Sequence, residues 1–327
     1  MNAAVLGMGN VGTEATKILG SMGVKVQAFD ADPSKQAITL DLSKSENISA
    51  VLQKQWDIIV NTLPSAIGWQ VLDKIIECGQ NCVDVTFMPE DPMEELSEKA
   101  EHSGSIIVID MGLAPGITNM LVGLVKEPKN VKILVGGNPI HPEPPLYYNA
   151  QFAPNDVIEE YTRPARIIQP RGVRITVNPL TDREFVFFEG VGLQEAFLTD
   201  GLRTLLGINC LDSAVEKTLR WPGHIDRIKL LQEMNMLDAN ILNCGYQDDV
   251  VTMRVEVDNK CWAMTAFGEN GKSAMARTTA SPAAYAAARL VCSNLKPGVY
   301  APEDLPQEMI NGILGDLRKE GIKINDD

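Results

Sequence analysis

Residues 3–30 read AAVLGMGNVGTEATKILGSMGVKVQAFD, and this stretch decides the fold. A short apolar run ends in Gly7, and Gly7, Gly9 and Gly12 stand at G-x-G-x-x-G spacing. Val11, Ala15, Ile18, Leu19 and Met22 then repeat at helical spacing until Gly23, after which VKVQAFD (24–30) has the character of a strand ending on an acid. Strand, glycine-rich turn, helix, strand, acid is the order a dinucleotide-binding βαβ unit requires. Gly7 allows the tight turn, Gly9 lets backbone approach a pyrophosphate at the helix N-terminus, and Gly12 lets helix and strand pack closely. Asp30 is placed to accept hydrogen bonds from ribose hydroxyls and to repel a 2′-phosphate, and Ala31, Asp32 and Pro33 supply no arginine after it. The motif therefore predicts NAD rather than NADP. The candidate cofactor residues are Gly7, Met8, Asn10, Val11, Gly9, Gly12, Asp30 and Ala31, with Asp41 and Leu42 at the adenine border. Loops at the ends of later strands add Thr62, Leu63 and Pro64, and Ala114 and Pro115.

The alternation continues outward. Strands are expected at 56–64, 81–87 and 105–112, with helices at 69–79 and 93–104 between them. Such alternation implies an α/β fold, a Rossmann doubly wound parallel sheet covered on both faces. Beyond about residue 120 strand-like stretches follow one another without helices, at 131–137, 173–179 and 184–190. A hairpin is expected over 250–268, turning at Asp258, Asn259 and Lys260, and helices near 200–220 and 225–237. These features predict a second α+β substrate domain built on a mixed open sheet. The Ala-rich stretch 273–295 predicts a long helix. The expected organisation is residues 1–118 for the dinucleotide domain, 119–275 for the substrate and oligomerisation domain, and 276–327 for a helical segment packing back on the first domain.

The chain has 327 residues, enough for two ordinary domains, and a formal net charge of −14. So acidic a chain without a basic patch should not bind nucleic acid. No apolar run approaches bilayer length and the first residues carry no secretion pattern, so the expectation is a cytoplasmic protein without a membrane partner. Six cysteines (Cys78, Cys82, Cys210, Cys244, Cys261, Cys292) form no C-x-x-C pair, and the histidines number three, so no metal site is expected.

The segments VNTLPSAIGWQVLDKIIECGQNCVDVTF (60–87) and DMGLAPGITNMLVG (110–123) resemble the saccharopine dehydrogenase family. PLYYNAQFAPNDVIEEYTRPARII (145–168), LQEAFLTDGLRTL (193–205), TLRWPGH (218–224), SAMARTTA (273–280) and GVYAPEDLP (298–306) are similar to its lysine 6-dehydrogenase branch. The resemblance implies a homodimer or larger homo-oligomer and an amino-acid substrate. The reaction it implies is NAD-dependent oxidative deamination of the ε-amine of L-lysine to the 6-semialdehyde, which cyclises to piperideine-6-carboxylate, with release of ammonia. Relatives in the wider family form saccharopine or carboxynorspermidine reductively. A non-catalytic NAD-binding regulator is the remaining alternative on this fold.

Amine oxidation needs a base to take a proton from the ammonium and a group to activate water, and groups titrating near neutrality serve best. His224 has that property without perturbation; Asp84 and Glu160 acquire it if burial raises them. Arg163 and Arg220 are candidates to hold a substrate carboxylate, and Tyr161 to orient or shuttle. Each residue also has a structural reading. Asp156, Glu159 and Glu160 suit the first turn of a helix. Asp84 suits a loop hydrogen bond, Tyr161 a core position, and His224 the C-terminal end of a helix. His102 reads as a surface residue, His141 as part of a Pro-rich loop, and Arg277 as a cap on the long helix.

Overall fold

The computed structural model describes residues 1–88, 90–150, 154–242, 248–269 and 271–326; Cys244 and residues 151–153 of the PLYYNAQFAP stretch lie outside them. The chain divides into two compact units, one of Met1–Gly123 with Arg277–Glu320 and one of Leu124–Ala276 with Gly321–Asp327.

In the first unit the elements run β1 (Asn2–Leu6), α1 (Asn10–Ser21), β2 (Lys25–Asp30), β3 (Ile38–Thr39), α2 (Ser45–Leu52), β4 (Ile58–Asn61), α3 (Ser65–Glu77), β5 (Cys82–Asp84), α4 (Pro92–Ser103), β6 (Ile106–Val108) and α5 (Ile117–Gly123). The strands pair in parallel in the order β6-β5-β4-β1-β2-β3. The chain moves outward from β1 on one side and returns to β4 on the other. The β1/β4 junction is thus the topological switch point, and ligands in such sheets lie beyond the carboxyl ends of the strands. Local chemistry fixes the boundaries. Asp91 accepts the Met93 N–H at 2.9 Å to start α4, and Gly104 ends it in the left-handed region at φ +81°. The core joins strand residues Ala4, Leu6 and Ile59 to Val71, Leu72, Ile75 and Ile76 of α3.

The second unit contains β7 (Asn130–Pro139), α6 (Pro154–Thr162), β8 (Ala165–Gln169), β9 (Val173–Val177), β10 (Glu184–Phe188), β11 (Gly192–Leu198), β12 (Ser213–Arg220), α7 (His224–Glu233), β13 (Asp249–Val257) and β14 (Lys260–Phe267). Its mixed sheet has the order β10-β11-β12-β7-β13-β14, with β8 and β9 attached through β12. β12 runs parallel to β7, and the other neighbours are antiparallel. The hairpin forms as expected, with Asp258 at φ +54° in its turn. The helix expected near 200–220 does not form. Residues Arg203–Gly207 make a short 3-10 turn and Ser213–Arg220 are a strand. Alternate residues of β12, namely Ala214, Glu216, Thr218 and Arg220, lie on one face of a strand that is buried on both faces from Glu216 onward, which a helical reading of the same residues does not capture.

The unit boundary falls within α8 (Ala274–Leu290). β15 (Gly298–Tyr300) then pairs in parallel with β6, completing seven described strands in the first sheet. α9 (Gln307–Lys319) belongs to the first unit, and β16 (Asn325–Asp326) pairs with β14. No described helix is long and apolar enough to cross a membrane.

Candidate active site

At the carboxyl end of β1 the glycine turn is built as its spacing implies. Gly7 sits at φ +90°, and a Cβ on Gly12 would stand 1.9 Å from the Gly7 carbonyl oxygen, so α1 can seat on the turn only with hydrogen there. Above Gly9 nothing lies within 4 Å of a Cβ position. No side chain caps the first turn of α1, so the N–H groups of its exposed start at Asn10 and half-buried Val11 face an open anion site. Thr62 braces the turn, its hydroxyl 2.9 Å from Leu6 O and 3.0 Å from Gly7 O. Asp30 accepts the Met8 N–H at 2.5 Å on one carboxylate oxygen and the Asp32 N–H at 2.8 Å on the other. The acid therefore ties the turn to the end of β2, and each oxygen retains a lone pair for a sugar hydroxyl. These residues fit a dinucleotide. Ala31 and Pro64 are exposed, Leu63 and Ala114 half-buried, and Pro115 buried. Asp41 makes a local turn with Ser43 at 2.6 Å, which lowers its carboxyl. Leu42 is 2% exposed in the core, so the side chain expected at the adenine border packs inward.

Asp84 ends β5 and is fully buried. Its carboxylate accepts the Thr86 N–H at 2.5 Å and the Asn61 amide at 3.0 Å. Burial pushes the carboxyl up to about 6, those hydrogen bonds holding it lower than burial alone would, while the neighbouring Asp110 raises it further. Asp110, after β6, is 3% exposed with φ +53°. Asn61, Thr86 and Asp110 carry no motif of their own; their role becomes visible only once parallel pairing sets β4, β5 and β6 side by side.

In the second unit four of the sequence candidates converge. Tyr161 and Glu160 are adjacent on α6, Arg220 ends β12, and His224 begins α7. Arg220 is 2% exposed. Its Nη2 donates to Glu160 Oε2 at 2.5 Å and to the Tyr148 hydroxyl at 3.4 Å, Nε to the Tyr161 hydroxyl at 3.2 Å, and Nη1 to its neighbour's carbonyl at 3.0 Å. The guanidinium also lies 4.3 Å from the Tyr148 ring centroid. Of the five guanidinium N–H groups, the second on Nη1 has no acceptor among the described residues. Burial opposes the Arg220 charge, but Tyr148, Tyr161 and Glu160 more than offset it and the group stays cationic. Burial pushes Glu160 up, with Arg220 opposing and Asp156 adding to the rise. Tyr161 is pushed up to about 12 by burial and is a neutral hydroxyl.

His224 departs from expectation twice. It does not end a helix: β12 runs into Trp221-Pro222-Gly223, and Gly223 at φ +86° starts α7 at His224. Trp221 Nε1 anchors this corner on Pro139 O at 2.8 Å, and buried Glu195, opposite Arg220 in the β11–β12 register, accepts the Gly223 N–H at 3.2 Å. Nor is His224 an unperturbed proton carrier. Burial first, then the Arg220 charge, push its imidazole down to about 3. Nδ1 is 2.7 Å from Leu146 O, so it must carry the proton; Nε2, 2.9 Å from the Tyr161 hydroxyl, must accept. The ring is held at both nitrogens, by the Leu146 carbonyl on one side and the Tyr161 hydroxyl on the other. Arg163 forms an ion pair with Glu159 at 3.3 Å, one turn along α6. Tyr148, the Leu146 carbonyl and Glu195 complete the constellation. All three lie in stretches that carried the family resemblance, but nothing in their spacing assigns them a partner.

The family model for the saccharopine dehydrogenase C-terminal domain matches residues 112–322. The chain belongs to the saccharopine dehydrogenase family. Among curated relatives, the mitochondrial alpha-aminoadipic semialdehyde synthase of Mus musculus is 24% identical over 225 residues, 63% of this chain and 24% of that protein. The alpha-aminoadipic semialdehyde synthase of Arabidopsis thaliana is 28% identical over 141 residues, 40% of this chain and 13% of that protein. The chain thus spans a quarter or less of the length of these relatives. The fold is similar to that of the apo saccharopine dehydrogenase (L-Glu forming) of Saccharomyces cerevisiae, with a TM-score of 0.77 at 17% identity, covering 100% of this chain and 99% of that one. It is also similar to the C. glutamicum DAP dehydrogenase, with a TM-score of 0.50 at 11% identity, covering 98% and 99%. Among saccharopine dehydrogenase family members the shared fold thus extends over the full chain, Rossmann sheet and mixed sheet alike.

Proposed function

We propose that this saccharopine dehydrogenase family member is an NAD-dependent oxidoreductase acting on the CH–NH2 group of an amino acid, and that its reaction is oxidative deamination of the L-lysine ε-amine. The observation that carries this reading is Arg220, a buried guanidinium fixed by Tyr148, Tyr161 and Glu160 with one N–H uncommitted. Such a group is suited to the carboxylate of an amino acid. The open turn at Gly9 supports a dinucleotide, and the Asp30 carboxylate with no arginine at 31–33 favours NAD over NADP.

A bound NAD would supply the acceptor for the hydride that leaves the carbon bearing the amine. The chain's residues supply the rest. Asp84, ionised above about pH 6, takes the ammonium proton so that a neutral amine reacts, passes that proton to solvent, and once ionised again accepts a proton from the water that hydrates the imine. Arg220 orients the substrate by its carboxylate, and Glu160 holds Arg220 while adding negative charge for the substrate's ammonium. Tyr161 and His224 are positioning residues that lock the Arg220 plane.

A reductase joining an aldehyde to a second carboxylate-bearing amine would call on further cations. Of the cations downstream of EYTRPA, Arg166 is committed to Asp200 by two bonds of 2.8 Å and Arg174 to the carbonyls of Leu206 and Ile208, whereas Arg171 engages Asp212 through its backbone N–H and leaves its guanidinium for such a partner. Product analysis tests the choice: semialdehyde and NADH supplied with ammonia should yield lysine, whereas a secondary amine formed only with glutamate would select the reductase.

A further inference from the structure

Glu216 lies on the same face of β12 as Thr218 and Arg220, two and four residues before them, and belongs to no motif. Its side chain is buried, at 4% exposure. Among the described residues its hydrogen-bond donor is the Thr199 hydroxyl, which is itself 2.8 Å from the Thr218 hydroxyl. Backbone closes over the carboxyl group: a Cβ on Gly201 would stand 2.4 Å from Glu216 Cδ. The charged groups that face it are Glu160 on α6, Asp200 after β11 and Arg220 on β12 itself. Asp200 is matched by Arg166 of β8, and Arg220 is matched by Glu160. Among the described residues these pairings leave no cation for Glu216, so ionising it would bury an unmatched charge beside two other acids. In keeping with that geometry, burial chiefly, with Glu160 and Asp200 adding, pushes its carboxyl up to about 8.

We propose that Glu216 is a positioning residue for the carboxylate end of the substrate: as an uncharged acid it leaves Arg220 with one anionic partner, Glu160, and so keeps the guanidinium able to accept a second carboxylate. The inference rests on the reading of the substrate as a carboxylate-bearing amine. Once Glu216 ionises, Arg220 has a second anion beside it in addition to Glu160, and the incoming carboxylate is repelled. A residue that only packed against Gly201 would affect stability but not this pH-dependent discrimination between substrates.

The test compares wild type and Glu216→Gln from about pH 7 to about pH 10, spanning the ionisation. L-Lysine is the substrate and cadaverine, its carboxylate-free analogue, the comparator. Taking the wild-type to variant KM ratio at each pH cancels the substrates' own titration. For lysine this ratio is expected to rise roughly five- to tenfold with pH, with a kcat ratio that does not follow pH, and for cadaverine the KM ratio stays flat. A flat lysine ratio, or an equal rise for both amines, overturns the proposal. If Glu216→Gln does not fold, Thr199→Val serves. Loss of the hydroxyl donor disfavours the carboxylate further, so the wild-type rise in lysine KM moves to higher pH, and an unmoved rise overturns the proposal. Absence of turnover with either amine would count against the amine-oxidation reading, and Glu216 is then read from thermal unfolding. Because its folded-state value is raised, wild type loses stability relative to Glu216→Gln as pH rises toward about 8. A pH-independent difference there overturns the uncharged acid on which the proposal depends.

Discussion

The Tyr161 hydroxyl lies 2.9 Å from His224 Nε2, and the direction of that bond is fixed by the far side of the ring. Nδ1 faces the Leu146 carbonyl and must donate, so Nε2 accepts and the tyrosine proton points at the histidine. The tyrosine oxygen is thereby turned to receive Arg220 Nε–H. A helix-starting histidine thus sets the orientation of an arginine four residues before it, through a tyrosine on another helix.

Tyr161→Phe removes the shared atom of this relay and leaves both His224 Nε2 and Arg220 Nε buried without a partner. The expected cost is about 1–3 kcal/mol of stability for the stranded groups, with KM for lysine rising more than kcat falls. Urea denaturation and steady-state kinetics check this. A variant as stable as wild type with unchanged KM contradicts the relay.

His224→Gln separates positioning from proton transfer. The folded-state imidazole is depressed to about 3, so the unfolded chain binds a proton first as pH falls below the ordinary histidine value. Wild type therefore loses stability as pH drops from about 6.5 toward about 3, and the glutamine variant should lose less over that window. Unfolding midpoints measured across it give the comparison. The same slope in both proteins would mean that the ring is not held neutral.

Asp84→Asn should lower kcat/KM by roughly 10²- to 10⁴-fold, the range for loss of a positioned base. In wild type kcat/KM should rise with pH through about 6, as the carboxyl ionises, and the asparagine variant should lack that limb. The raised value also means that Asp84 costs stability as pH rises from the ordinary aspartate range toward about 6, and the variant escapes that cost. An unshifted pH–rate profile would move the base elsewhere.

The Rossmann half was legible because its signals are local. Three glycines, a helical repeat and an acid lie within one βαβ unit; Gly7 and Gly12 meet the steric demand their positions imply, and Gly9 faces open space. The second half was legible by resemblance more than by pattern. TLRWPGH contains the right residues, but a strand buried on both faces has no period to betray it, and 213–220 passed for helix. The charge state of His224 was not legible at all. Its depression comes from burial and from Arg220, and both depend on α6 and the 146–148 segment closing over the β12–α7 corner. Glu216, Glu195 and Tyr148 were missed for the same reason: each is defined by partners well over ten residues away in the chain.

Asp30→Ala should weaken NAD binding and narrow the preference for NAD over NADP. It removes both the ribose acceptor and the carboxylate that would repel a 2′-phosphate. It also frees the Met8 N–H, so a modest loss of thermal stability should accompany it. Dissociation constants for the two dinucleotides, measured by calorimetry, decide the point. Unchanged discrimination would remove Asp30 from the cofactor site.

The most direct test of the whole account is the oxidation of L-lysine by wild type with NAD under mildly alkaline conditions, with reduced nicotinamide and released ammonia both quantified. The account predicts lysine-dependent formation of the two in equal amounts, slower with NADP. No reduction of either dinucleotide with lysine or any other amino acid or diamine would contradict it.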